Sequence, residues 1–157
     1  MLEFAPHFPL EELIHSDTAE AHGLDNTPPT DLLPALVEVS WKAEEARSII
    51  GCALQVDSGY RSPEVNAIVA KGSSSTGAHP KGRAVDLFPL GVNVNDAYQM
   101  LAEHPTFMKD VDQLIKERGC IHLGLLIPGA HPAPRRELRH DEWINGVRHY
   151  PLDSVWG

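Results

Sequence analysis

The spacing of apolar residues changes along the chain, from a helical period in the first half to short apolar runs in the second. Helical spacing, start signals such as Ser16 and Pro63, and stop signals such as Gly23 and Gly51 together predict several helices. These helices are expected at residues 9–15, 16–23, 30–50, 63–69 and 94–104. The longest of them should pack on the core through a stripe formed by Leu33, Leu36, Val37, Trp41 and Ile49.

Short apolar runs bounded by turn residues predict strands in the second half of the chain. They are expected at residues 53–57, 84–88, 111–116, 121–127 and 135–139. A Gly- and Ser-rich stretch at 71–77 predicts a loop, and the tail from residue 140 shows no clear period. Because helices come first and strands mixed with helices follow, the order favours an α+β fold over a regular βαβ array.

Composition and charge narrow the class of protein. The 157 residues are enough for one domain with a real core, and 42% apolar with 22% charged residues is ordinary globular composition. A net charge of −9 argues against a general nucleic-acid binder. No apolar run approaches a membrane span, and the N-terminus lacks the features of a signal peptide, so we expect synthesis in the cytoplasm. Cys52 and Cys120 are expected to be free thiols.

Two histidines and an aspartate are the candidates for metal binding. His79 and Asp86 flank a stretch of small and turn-forming residues, and His122 lies in an apolar run that predicts a strand. Brought together by folding, they would form a three-ligand zinc site with an open fourth position. Taken singly, each histidine is more often a surface or hydrogen-bonded residue, and that alternative stays open at this point.

Two further residues could serve such a site. Glu117 comes five residues before His122, across a tight turn, where its carboxylate could move protons for a metal-bound water. Arg61 could offer a planar guanidinium to a substrate carboxylate or carbonyl. The alternatives are an ion pair of Glu117 with Lys116 or Arg118, and a surface ion pair for Arg61.

Four motifs carry a family resemblance. They are Ser-Gly-Tyr-Arg-Ser at 58–62, His-Pro-Lys-Gly-Arg-Ala-Val-Asp at 79–86, Asp-Gln-Leu-Ile-Lys-Glu at 112–117 and Ile-His at 121–122. In this order they resemble the zinc D-alanyl-D-alanine carboxypeptidase family, and most of all its small single-domain, phage-type members. The resemblance covers about residues 7–139. It implies a small antiparallel sheet flanked by helices, of the hedgehog/D,D-peptidase type, with the zinc site on the sheet.

The resemblance also implies roles for individual residues. His79, Asp86 and His122 fall on the family's zinc ligands, for one Zn²⁺ per chain. Glu117 falls close to its general base, and Arg61 falls on the arginine that helps to hold the substrate. The implied substrates are peptidoglycan stem peptides, cleaved by a D,D-carboxypeptidase or by an L-alanyl-D-glutamate endopeptidase. The enzyme would act at the cell wall, for instance as a phage lysin.

The sequence departs from the family pattern in three places. Gly77 stands where a serine is usual, and Cys120 stands where an aromatic residue is frequent; packing as a small apolar residue is favoured for Cys120 over binding the metal. Residues 140–157 have no counterpart, so we expect a peptidase-type domain at 1–139 and a C-terminal extension that is not an independent domain. The alternative function is a phage virion component on the same zinc-binding fold, with the extension contacting a virion partner.

Overall fold

A computed structural model describes residues 2–70 and 77–156, with most of the helices in the first half of the chain and most of the strands in the second. The α-helices are α1 (Leu10–Ile14), α2 (Asp17–His22), α3 (Leu33–Ile50), α4 (Pro63–Val69), α5 (Val94–Ala102) and α6 (Pro105–Met108). The strands are β1 (Ala53–Ser58), β2 (Ala84–Leu90), β3 (Val111–Lys116), β4 (Ile121–Leu125), β5 (Glu137–His140), β6 (Glu142–Ile144), β7 (Val147–His149) and β8 (Leu152–Val155). Most of the loop predicted at 71–77 lies outside the described residues.

Six strands form one sheet in the order β1-β2-β4-β3-β5-β8. Neighbouring strands are antiparallel except β3 and β5, which run parallel. Strands β6 and β7 form a separate hairpin. The predicted α+β class with a mostly antiparallel sheet and flanking helices is therefore confirmed. None of the described helices is long and apolar enough to cross a membrane.

Capping residues set the helix boundaries close to where the sequence predicts them. The Ser16 hydroxyl accepts a hydrogen bond from the Ala19 N–H at 3.1 Å, and Gly23 ends α2 in the left-handed conformation. The α-helix predicted at 30–50 begins only at Leu33, after a 3-10 turn, because Pro34 is tolerated only in the first turn. Helix α5 ends at 102, before the predicted 104, and Pro105 then begins α6, which the sequence analysis missed.

The core lies between α3, α5 and one face of the sheet. The buried side of α3 follows a spacing of three and four residues through Leu36, Val39, Ala43, Ala46 and Ile50. The predicted core position of Trp41 is wrong: its side chain is 47% exposed, and its indole N–H donates to the Glu3 carbonyl at 2.9 Å. Small alanines, and not the large indole, let the helix approach the sheet.

The C-terminal tail is built of strands, although its sequence shows no period. Strand β8 pairs with β5 in the main sheet, and Trp156 packs against the core cluster. The hairpin β6–β7 lies between these two paired strands in the chain. The domain boundary predicted at residue 139 falls inside β5.

Asp112 joins the start of β3 to the segment that leads into β5. It is buried, and its Oδ1 accepts the backbone N–H of Arg135 at 2.9 Å while its Oδ2 accepts the Arg135 Nη2 at 2.8 Å. Burial alone would raise the pKa of Asp112, but the hydrogen bonds and the charge of Arg135 outweigh it and lower that pKa.

We therefore predict that Asp112→Asn removes the pH-dependent contribution of the Asp112–Arg135 ion pair to the free energy of unfolding. The pKa of Asp112 is lower in the folded state than in the unfolded state, where it is about 3.9. The ion pair therefore contributes its full stabilisation above the unfolded pKa, and this stabilisation is lost as the pH falls through the folded pKa. At pH 7 the free energy of unfolding of the variant, measured in urea, should be about 1–3 kcal/mol lower than that of the wild type. Below pH 5 the free energy of unfolding of the variant should change less with pH than that of the wild type. Asp110→Asn, at an exposed site, is the control. Equal acid dependence in both variants and in the wild type would contradict the prediction.

Candidate metal centre

Asp86 and His122 are brought together by strand pairing. They are directly opposite each other on β2 and β4, and Asp86 is also opposite Ser58 on β1. Their neighbours on both strands point into the helix-covered core, among them Leu87 and Leu123. Because side chains alternate along a strand, Asp86 and His122 share the opposite face, as predicted for His122.

His79 reaches the same point from the turn that precedes β2. The Arg83 N–H donates to the Ala78 carbonyl at 2.9 Å, and Gly82 takes a left-handed conformation that closes the turn. The His79 ring is buried, and its Nδ1 lies 2.7 Å from the Gly59 carbonyl oxygen. Since a carbonyl only accepts, Nδ1 carries the proton, which leaves the Nε2 lone pair facing Asp86.

The three side chains converge on one point. His122 Nδ1 lies 2.9 Å from Asp86 Oδ1, and His79 Nε2 lies 3.4 Å from Asp86 Oδ2. Each residue offers one possible metal-ligand atom, and these three atoms all lie within 4.8 Å of one another. In a tetrahedral zinc site with bonds of about 2.0–2.2 Å, neighbouring ligand atoms lie roughly 3.3 Å apart. The two imidazole nitrogens and the carboxylate oxygen of this site have a spacing that fits zinc. The site could hold a metal ion.

Burial and charge set the protonation of these three groups. Burial alone would raise the pKa of Asp86, but the two imidazoles hold it well below its usual range, so Asp86 is a carboxylate. Burial lowers the pKa of His79 despite the nearby Asp86 charge. Burial acts the same way on His122, but the hydrogen bond to Asp86 and the charges of Asp86 and Glu117 together outweigh it and raise that pKa. The lowered pKa keeps the His79 imidazole readily neutral, as metal binding requires.

Arg61 is fixed beside the same carboxylate. Its Nη2 lies 3.3 Å from Asp86 Oδ2, its Nε donates to Ser58 Oγ at 2.9 Å, and its Nη1 donates to Asn66 Oδ1 at 3.1 Å. The side chain is buried and lines the cavity that contains His79. Each guanidinium nitrogen thus has a protein partner, which makes Arg61 a rigid part of the site.

Glu117 lies just after β3, at the turn that leads into β4. Its N–H donates to the Cys120 carbonyl at 2.9 Å, and the Cys120 thiol lies 3.2 Å from Glu117 Oε2. One carboxylate oxygen lies within 4.8 Å of an Asp86 oxygen. Burial and the Asp86 charge raise the pKa of Glu117, which suits a group that accepts and returns a proton. Burial also raises the pKa of Cys120, so this residue is a buried thiol that donates to Glu117.

A cavity of about 620 Å³ contains the predicted residues Arg61, His79, Asp86, Glu117 and His122. The sequence analysis missed other lining residues, which include Gln113, Ile115, Arg139, Trp143, Arg148 and Tyr150. The two on β3 could have been found, because they alternate with Glu117 and so share its face. The residues of the tail carried no such signal.

Gly77, which replaces the serine usual in the resembled family, lies at the entry to the His79 turn. Its φ is +73°, a left-handed conformation that glycine adopts without strain. The departure from serine therefore has a conformational reason in this chain.

We predict that Gly59→Ala will weaken both the fold and metal binding. A Cβ at Gly59 would lie 2.2 Å from the backbone oxygen of Leu13, so the chain that offers its carbonyl to His79 must shift. We expect a loss of about 1–3 kcal/mol in stability and a roughly 10–100-fold weaker zinc affinity by competition with a chelator. Gly119→Ala is the matched control, since a Cβ there meets no atom within 4 Å. Wild-type zinc affinity in Gly59→Ala would show that this carbonyl does not orient His79.

Comparison with known families shows the family of this chain. The family model described as Peptidase M15 matches residues 6–124, more than half of the chain. The match includes all five predicted site residues and ends before β5, so it does not cover the C-terminal strands. No curated protein matches the chain. Since the match spans most of the sequence, the chain belongs to the peptidase M15 family.

Proposed function

We propose that this chain is a zinc-dependent peptidase that cleaves peptidoglycan stem peptides. The observation that carries the proposal is the convergence of His79, Asp86 and His122 beside Glu117 in one cavity of an M15 family chain. Zinc bound there would lower the pKa of a water molecule towards about 7 and polarise the scissile carbonyl.

The protein's own contribution starts with the orientation of the ligands. In this proposal His79 binds through Nε2, because the Gly59 carbonyl holds the proton on Nδ1. His122 binds through Nδ1, the nitrogen that faces Asp86. Arg61 contacts Asp86 Oδ2, the oxygen that also faces His79, and this contact limits the rotation of the carboxylate.

Glu117 acts as the general base and then as the general acid. It takes a proton from the attacking water and gives that proton to the nitrogen of the leaving amine, so the carboxylate is regenerated after each cycle. Its raised pKa supports both steps, because a weakly acidic carboxyl holds the proton between them.

Arg61 binds the substrate in this proposal. A guanidinium has five N–H donors, and the three bonds to Ser58, Asn66 and Asp86 leave two for a substrate carbonyl. The substrate would be a D,D-linked stem peptide or an L-alanyl-D-glutamate linkage, and the enzyme would serve as a cell-wall lysin. The virion role stays a prediction, to be tested by co-purification of the chain with phage particles.

We predict that His79→Ala and Glu117→Gln separate metal binding from catalysis. His79→Ala should lose zinc, because one of three ligands is removed. Glu117→Gln should keep one zinc per chain but lose about 10²–10⁴-fold in muropeptide cleavage, the usual contribution of a positioned acid–base group. Metal analysis and mass spectrometry of digested muropeptides provide the two measurements.

His15→Ala is the control for this experiment. His15, Asp17 and Glu20 form an exposed group with metal-ligand side chains that lies on the surface. The variant should keep zinc and activity. If zinc-loaded wild type cleaves no muropeptide, or if Glu117→Gln keeps full activity, the proposed mechanism is wrong.

A further inference from the structure

One wall of the cavity is formed by the hairpin β6–β7 and the residue after it, which the family match does not include. Its lining residues are Trp143, Gly146, Val147, Arg148, His149 and Tyr150. They line the same cavity as Glu117 and the three candidate ligands. A cavity of about 620 Å³ is large enough for a short peptide, so this wall would touch whatever peptide is bound.

Arg148 is the cation of this wall, and its guanidinium is held in place. Its Nη2 donates to Asp141 Oδ2 at 3.2 Å, and its Nη1 donates to the Tyr150 hydroxyl at 3.3 Å. The guanidinium carbon lies 5.1 Å from the centre of the Trp143 ring and 5.7 Å from that of Tyr150. Such a fixed, planar group loses little freedom when it binds a ligand.

Arg148 has hydrogen-bond donors to spare. Its Nε is buried and has no hydrogen-bond partner among the described residues. The two bonds above use two of its five N–H donors, whereas Arg61 uses three of its five. A buried donor without a partner is costly unless a ligand satisfies it.

The cavity also differs in charge from the rest of the chain. The chain carries a net charge of −9, yet the cavity is lined by Arg61, Arg135, Arg139 and Arg148 against the two carboxylates Asp86 and Glu117. Arg135 and Arg139 are paired with Glu137 behind the cavity wall. Arg139 has the same number of uncommitted N–H donors as Arg148, because its Nε is also buried without a partner among the described residues. Arg148 is distinguished by its exposure: 33% of its side chain is accessible, more than for the other three lining arginines.

We propose that Arg148 binds a carboxylate of the substrate and that the hairpin thereby selects stem peptides with a free carboxylate near the scissile bond. A carboxylate accepts two parallel N–H bonds from a guanidinium, a geometry that an amide cannot match. The inference rests on the proposed function. Stem peptides offer this group in two places, at the C-terminus and on the glutamate residue, and both sources are to be tested.

The experiment uses the full chain loaded with zinc and a synthetic stem pentapeptide, L-Ala-γ-D-Glu-L-Lys-D-Ala-D-Ala. The peptide is supplied in three forms: unmodified, amidated at the C-terminus, and amidated at the free glutamate carboxyl. The wild type should cleave the unmodified form about 10–100-fold faster in kcat/KM than one of the amidated forms. The amidation that causes the loss identifies the carboxylate. In Arg148→Gln this ratio should fall towards one, and Arg148→Lys should keep an intermediate ratio.

Arg118→Gln is the matched control. Arg118 lies over the same Trp143 ring, at 5.7 Å, but does not line the cavity, so its loss should leave the ratio unchanged. If Arg148→Gln does not fold, the salt dependence of wild-type KM decides. KM for the unmodified peptide should rise more steeply with salt concentration than KM for the amidated peptide that the wild type cleaves more slowly.

The possible failures are distinguishable. If the wild type cleaves none of the three peptides or muropeptides, the proposed function fails and this inference falls with it. If the wild type cleaves all three forms equally, or if Arg148→Gln folds and keeps the wild-type ratio, the proposed function stands and the role of Arg148 is overturned.

Discussion

The candidate site and the sheet depend together on the buried carboxylate of Asp86. An ion in this position costs several kcal/mol unless it is fully paired, and Asp86 is paired by His79, His122 and Arg61 together. Each partner comes from a different part of the chain: the turn before β2, strand β4 and the loop after β1. The register of the sheet, the His79 turn and the Arg61 loop must therefore all be correct before the carboxylate is satisfied, which couples the site to the fold.

The same sheet serves two purposes through its alternation of side chains. One face packs Leu87, Ile121 and Leu123 under the helices, and the other presents Asp86 and His122 to the cavity. A slip of β4 by one residue against β2 would turn His122 into the core and Leu123 towards the cavity, and a slip of β2 would do the same to Asp86 and Leu87. The apolar core thus fixes the face of the sheet on which the polar residues lie.

The sequence was sufficient for the parts of the site whose signals are local. The five residues predicted for the site lie within short motifs, and the structure brings all of them to one cavity: His79, Asp86, His122, Glu117 and Arg61. The sequence was insufficient where a distant partner decides the structure. Trp41 is exposed because a remote backbone carbonyl satisfies its indole, and β6 and β7 are three residues each, too short to show a period. Arg148 could not be assigned to the cavity without the pairing of β8 with β5.

That pairing has an evolutionary consequence. The hairpin leaves the main sheet at β5 and returns to it at β8, so both its ends are anchored to strands that pair with each other. A segment anchored in this way can be exchanged between relatives, lengthened or replaced without altering the strands that carry Asp86 and His122 or the turn that carries His79. The residues that set substrate preference could then change during evolution independently of the residues that carry out hydrolysis. A new preference could arise from a new hairpin while the strands of the site stay the same.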